Sequence, residues 1–246
     1  MESRRKRIEV YRKAVIPVTS SIEIRDLSFS YDSGQQVLDG INLTIERGEF
    51  AVIIGGNGSG KSTFIKNILG ELKPDKGSVR ILGRERSGDD YRDVGYVPQM
   101  SVVEKIAFPI TVMELVVLNL YDEFGFLKYP KKRHKEKAKK VLKKMNLFDY
   151  KDRPVNELSG GLKQRSMISR AMVHDPEILI LDEPTVGVDK ESRARFLETI
   201  GHLNREKNLT ILMITHDLEE VMRWGGAQSL YEIKDKKLER KEVPHA

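Results

Sequence analysis

Apolar residues along this 246-residue chain follow two alternating periods. Ile22–Phe29 and Val37–Ile45 alternate apolar with polar positions, the period of half-buried strands, with the turn formers Asp32-Ser33-Gly34 between them. Phe50–Ile54 is a continuous apolar run, as in a strand covered on both faces, and it passes into a glycine-rich segment. Phe64, Ile65, Ile68 and Leu69 then recur at helical spacing, and Gly70 is a natural helix stop. The turn Pro74-Asp75-Lys76-Gly77 introduces a strand at Ser78–Leu82, and Asp93–Pro98 predicts another that ends at Gln99. From Met100 to Ala171 the pattern is helical, with helices expected over Pro109–Leu120, Pro130–Met145 and Gly161–Val173. Alternation then returns as strand Glu177–Leu181, helix Lys190–Glu206, strand Leu209–Thr215, helix Asp217–Arg223 and strands at Gln228–Ile233 and Lys237–Lys241. No unit of solenoid length repeats. The pattern predicts an α/β core with a helical insertion in its middle.

Composition narrows the class. The length suits one large α/β domain or two small ones, and 39% hydrophobic with 33% charged residues describes a soluble globular chain. No apolar run approaches the roughly 20 residues that span a bilayer. Met1–Lys13 is charged where a secretory signal needs an apolar centre, so export is not expected. With no cysteine, disulfides, thiolate metal sites and a cysteine nucleophile are excluded. The histidines His134, His174, His202, His216 and His245 include no pair at helical ligand spacing, so no resident transition-metal site is expected.

The net charge of +6 is concentrated in two segments. Met1–Lys13 carries Arg4, Arg5, Lys6, Arg7, Arg12 and Lys13 against Glu2 and Glu9. Lys128–Lys144 is lysine- and arginine-rich with Glu136 its one acid, and Ala138, Val141, Leu142 and Met145 give it an amphipathic helical period. Such a helix can be merely solvated on its charged face, or it can lie beside anionic lipid headgroups. Nucleic-acid binding is not expected, because no aromatic residues interleave with these lysines as a stacking surface requires.

Chemistry enters at Gly55-Gly56-Asn57-Gly58-Ser59-Gly60-Lys61-Ser62, which fits the phosphate-loop pattern Gly-x-x-x-x-Gly-Lys-Ser/Thr without a mismatch. A strand precedes it and a helix beginning at Thr63 follows. Glycines let backbone N–H groups approach phosphate oxygens, and the helix start adds unpaired donors and partial positive charge. Lys61 is expected on the β- and γ-phosphates and Ser62 on Mg²⁺. The chain is expected to bind a nucleoside triphosphate.

Ile178-Leu179-Ile180-Leu181-Asp182-Glu183 reads as a buried strand ending in two carboxylates, placed at the centre of a parallel sheet beside the phosphate-loop strand. Asp182 would then emerge next to Ser62 and hold Mg²⁺, while Glu183 would polarise an attacking water. Leu158-Ser159-Gly160-Gly161 opens a helix about 20 residues before that pair, with Ser159 a natural N-cap and two glycines leaving amides uncovered.

These three motifs, in this order, resemble the ATP-binding cassette (ABC) family from Ile22 to about Lys241. The resemblance implies a P-loop NTPase (RecA-like) core with an antiparallel β subdomain and an inserted helical subdomain. The cassette would span residues 21–246, with core 21–99 and 172–246 and helical subdomain about 100–171, after a basic extension 1–20. It also assigns roles. Tyr31 matches the aromatic that stacks on adenine, and Gln99 the glutamine that approaches Mg²⁺ and the attacking water. Asp189, in Gly187-Val188-Asp189, is similar to the aspartate that links the two sites of a dimer, and His216 to the histidine that contacts the γ-phosphate. One position departs: the family signature continues with glutamine after the second glycine, whereas this chain has Leu162, with Gln164 two residues later.

Members of the family set Ser159–Gly161 of one subunit against the γ-phosphate on the other subunit's phosphate loop, so the resemblance implies an ATP-dependent homodimer. The family also powers DNA repair, translation factors and exporters. This chain has no long coiled-coil insertion, no second cassette and no fused membrane helices. The expectation is a separate ATPase subunit that meets integral-membrane permease subunits at the cytoplasmic face of the cell membrane. Phe108-Pro109-Ile110-Thr111-Val112, Glu183–Asp189 and Asp122–Pro130 are similar to the zinc/manganese importer branch. Other importers, exporters, or a cassette serving a soluble partner in cofactor assembly are the alternatives.

Overall fold

A computed structural model describes residues 20–32, 34–85, 92–99 and 109–243. The basic segment Met1–Lys13 and Phe108 of the importer-like motif lie outside the described residues. β1 (Ser20–Ser30) pairs antiparallel with β2 (Gln36–Glu46) and with β4 (Lys76–Ile81), and β4 pairs with the two-residue β5 (Arg84–Glu85). The resulting four-stranded sheet has the order β2-β1-β4-β5. β5 is too short to show a period and was not legible in the sequence. The second sheet is six-stranded, in the order β10-β9-β3-β8-β7-β6. It comprises β3 (Phe50–Ile54), β6 (Val94–Val97), β7 (Ile178–Asp182), β8 (Thr210–Thr215), β9 (Ser229–Lys234) and β10 (Lys237–Lys241). All neighbours are parallel except the β9–β10 hairpin at one edge.

This order corrects one expectation. The acidic strand β7 is not beside the phosphate-loop strand β3, because β8 lies between them and pairs with both. β3, β7 and β8 are all continuous apolar runs, so pattern alone cannot rank them. The crossover connections settle the order.

Alternate residues of the parallel strands face opposite layers. Ala51, Ile53, Ile180, Leu212 and Ile214 share a core with β1, β2, β4 and α1 (Lys61–Leu69). Phe50, Val52, Leu179, Leu181, Ile211 and Met213 share the other core with α2 (Val112–Leu118), α3 (Lys132–Lys144), α4 (Gly160–Ala171), α5 (Lys190–Lys207) and α6 (Leu218–Trp224). Strands buried on both faces explain the unbroken apolar runs. α2 starts later than the sequence suggests, because Thr111 caps it: its hydroxyl accepts from Glu114 N–H, and the Glu114 carboxylate accepts from Thr111 N–H. The carboxyl ends of β3, β7 and β8 open on one edge, where parallel sheets carry their ligands.

Candidate nucleotide site

Gly55 follows β3 directly. A Cβ there would stand 2.6 Å from Ser59 Oγ and 2.8 Å from the Ile233 carbonyl oxygen, so no side chain fits. Gly58 and Gly60 have φ of 78° and 101°, backbone that L side chains rarely adopt. The turn delivers α1 with no side-chain cap and no acid in its first turn. Its free N–H groups and partial positive charge make an anion cradle. Ser59 Oγ is buried there and has no hydrogen-bond partner among the described residues. Lys61 is buried, and its ammonium donates to the Gly55 and Gly56 carbonyls at 2.8 and 3.0 Å and stands 3.6 Å from Glu183 Oε1.

In front of this turn is a cavity of about 480 Å³ whose lining includes Tyr31, Asn57 to Thr63, Gln99, Asp182, Glu183 and His216. Residues from β1, α1 and the ends of β6, β7 and β8 thus converge although up to 185 positions separate Tyr31 from His216. Tyr31 is 42% exposed at the mouth, its ring edge-on to Phe29 at 5.1 Å and its hydroxyl 3.1 Å from Thr63 Oγ1. Its exposure leaves ring surface available to a flat base.

Asp182 ends β7 and Glu183 follows with φ of 46°, a strained value for a side chain of this size, held by its N–H donating to Ile214 O at 2.8 Å. Glu183 Oε2 lies 2.7 Å from His216 Nδ1 and accepts the His216 backbone N–H at 3.3 Å. The two carboxylates are distinguished by their surroundings. Burial, then the neighbouring Glu183 charge, pushes the Asp182 carboxyl up, against the Tyr96 hydrogen bond and the Lys61 charge. Tyr96 donates its hydroxyl to Asp182 Oδ2 at 3.4 Å, and burial followed by the Asp182 charge raises that phenol, keeping it a neutral donor. Sequence reasoning missed Tyr96, which reads as an ordinary strand residue. Only the pairing of β6 with β7 brings it to the acid.

The residues fit a Mg-nucleotide. Among the described residues no group of His, Asp or Glu could hold a metal unaided. Ser62, Gln99 and Asp182 all line the cavity and could supply oxygens, a set suited to Mg²⁺ that shares its shell with phosphate and water.

Ser159, Gly160, Gly161 and Asp189 are not brought to this cavity. Ser159 takes the N-cap position of α4 and is exposed, but its hydroxyl makes no capping bond, and the first turn holds no acid. A Cβ on Gly160 would stand 3.7 Å from Gly187 O and one on Gly161 3.2 Å from Ser192 Oγ, so this helix start packs against the Asp189 loop. Asp189 itself caps α5, accepting from Ser192 N–H at 2.9 Å. Gln164 is buried and donates its amide to the Pro184 carbonyl, joining α4 to the turn after Glu183. The displaced glutamine therefore braces the two motifs inside one chain.

Residues 38–186 match the ABC transporter family. The chain belongs to that family. As an ABC ATPase it uses ATP. It is 43% identical over 203 residues to the zinc uptake system ATP-binding protein ZurA of Listeria innocua, covering 81% of this chain and 78% of that protein. It is 37% identical over 202 residues to the manganese transport system ATP-binding protein MntB of Bacillus subtilis, covering 80% and 78%. Among solved structures, a dimeric ATP-binding cassette in a post-hydrolysis state with ADP and Pi superposes with a TM-score of 0.75 and 27% identity, covering 92% of this chain and all of that one. Among the described residues of this ABC ATPase, no helix is long and apolar enough to cross a membrane.

Proposed function

We propose that this ABC ATPase is the energy-coupling subunit of a metal-ion importer, working on zinc or manganese with integral-membrane permease subunits at the cytoplasmic face of the membrane. The observation that carries the metal assignment is the identity of 43% and 37% to zinc and manganese uptake proteins across four-fifths of the chain. The metal is cargo handled by the permease, and nothing in this chain's own site is built to bind it.

In the cavity, Tyr31 stacks on adenine and the amides of Gly55 to Thr63 hold the phosphates. Lys61 turns from the Gly55 and Gly56 carbonyls towards the β- and γ-phosphate oxygens. Mg²⁺, when bound, neutralises charge on those oxygens. Ser62, Asp182 and Gln99 would hold it, with Tyr96 orienting the Asp182 carboxylate. Glu183 takes a proton from the attacking water, its position set by the His216 contact at 2.7 Å, and His216 turns its other nitrogen towards the γ-phosphate. The α4 N-terminus is satisfied in a homodimer, where Ser159, Gly160 and Gly161 meet the γ-phosphate on the partner's phosphate loop and Asp189 links the two sites. Hydrolysis removes that bridge and the pair opens.

The test is metal uptake by cells that lack this chain. Zinc or manganese accumulation should fail and return with the wild-type chain, which should co-purify with a polytopic membrane protein. Normal metal uptake with loss of cobalamin or siderophore uptake would move the chain to another importer. Co-purification with soluble proteins alone would support the cofactor-assembly alternative.

A further inference from the structure

Apart from Tyr31 and Leu218, the exposed large hydrophobic side chains among the described residues fall in one stretch. They are Leu118, Tyr121, Phe126, Leu127 and Tyr129, at 52%, 51%, 100%, 86% and 74% exposure. The stretch links α2 to the basic helix α3. Its base is anchored, because Phe124 is buried against Tyr121 at 5.6 Å and against His134 at 4.9 Å, and His134 is fully buried. Two residues on, Phe126 and Leu127 project from a chain that turns back at Lys128 with φ of 49°. The tip is apolar and exposed on a fixed base.

Its charge is one-sided. Asp122 is paired with Arg92 at 2.9 Å and Glu123 with Lys137 at 2.6 Å. Lys128 lies 4.7 Å over the Tyr121 ring. Lys131, Lys132 and Lys135 form no salt bridge among the described residues, although the Lys132 charge helps Lys139 hold the Glu136 carboxyl below its ordinary value. Exposed aromatic and aliphatic side chains that run straight into a lysine-rich helix start, with the Lys131 ammonium beside Gly125, match the interface of an anionic bilayer, where rings settle at headgroup depth and ammonium groups meet phosphates. A nucleic-acid surface would use the rings but has no place for Leu118 and Leu127.

We infer that Phe126 and Leu127 enter the surface of an anionic membrane while Lys131, Lys132 and Lys135 bind its headgroup phosphates. This rests on the reading of the chain as a membrane-transporter subunit. The contact gives the cassette a grip on the bilayer separate from its permease.

The full-length chain is sedimented with vesicles of phosphatidylcholine alone and of phosphatidylcholine mixed with phosphatidylglycerol. Binding should need the anionic lipid and weaken in high salt. Phe126→Ser with Leu127→Ser should reduce binding about tenfold, as should Lys131→Glu with Lys132→Glu and Lys135→Glu, with ATP hydrolysis unchanged. In Phe126→Trp, the added indole should shift to the blue and be quenched by brominated acyl chains only when anionic lipid is present. A chain with Arg4, Arg5, Lys6 and Arg7 changed to serine separates the N-terminal charges from the tip. Binding lost in that chain but kept in the Phe126→Ser, Leu127→Ser chain overturns the inference. So does a tip variant that binds vesicles normally yet loses the permease in detergent, or indole quenching by an oligonucleotide and not by vesicles. Metal uptake is scored separately, so failed vesicle binding leaves the transporter assignment standing.

Discussion

The N-termini of α1 and α4 are built alike and surrounded differently. Neither carries a side-chain cap or a first-turn acid, whereas α2 and α5 begin with Thr111 and Asp189 bonded to their own amides. Open amides and an uncompensated partial positive charge make both α1 and α4 receptive to an anion. Around α1 the chain also supplies Lys61, Asp182, Glu183 and His216 in one cavity. Around α4 it supplies the exposed Ser159 and the Asp189 loop, both outside that cavity. In the proposed homodimer one end is the site, and the other is the piece that completes it on a second copy.

Breaking the catalytic half should have the largest effect. Glu183→Gln removes the proton acceptor and the acid beside Lys61, so turnover should fall about 10²–10⁴-fold with ATP binding retained. Light scattering with ATP and Mg²⁺ should then report a doubled mass. Normal hydrolysis in this variant would remove Glu183 from the role of base.

A pair of substitutions separates the two helix ends. Lys61→Ala should weaken binding of a fluorescent ATP analogue by about 10²-fold. Ser159→Arg, on an exposed position, should leave that binding within about twofold while lowering hydrolysis about 10²-fold and abolishing the ATP-dependent dimer. Equal loss of nucleotide affinity in both variants would contradict the division between the two ends.

The Asp182 environment gives a smaller effect with a defined sign. Its folded-state pKa is raised above the ordinary 3.8, so its contribution to stability is present in acid and is lost as pH rises through the raised value. Asp182→Asn should therefore raise the melting temperature at pH 7 by about 2–4 °C, a gain that shrinks towards zero near about pH 4, while Mg²⁺-dependent hydrolysis falls. An unchanged melting curve would mean the carboxylate is not strained by burial and Glu183. Tyr96→Phe should be the mildest, raising the Mg²⁺ concentration for half-maximal rate about two- to fivefold with nucleotide affinity retained. Equal loss of ATP affinity and rate would mark Tyr96 as a packing residue only.

Much of this was legible along the chain because its signals are local. The phosphate loop needs consecutive residues whose glycines answer to positive φ and close approach at Gly55, Gly58 and Gly60. The acidic strand end is likewise a contiguous word, and the fold brings both to one cavity even though β8 separates the two strands. The error about their adjacency came from the one quantity that repeated apolar runs do not encode, the order of strands across the sheet. Tyr96 was invisible for the same reason, since its partner Asp182 is 86 residues away and its own neighbours are those of any buried strand.

Taken alone, the order of residues determined the α/β class and the ATPase family and marked the phosphate loop and the acidic strand end, since backbone geometry and motif spacing are short-range properties. The tertiary structure decided which helix starts stay uncapped, where Gln164 is buried and which acid is pushed up in pKa. It also decided that Phe126 and Leu127 face outwards while Phe124 faces in. Those outcomes depend on which distant segments pack together. Burial and charge at a point are sums over neighbours in space, and the chain order does not list those neighbours.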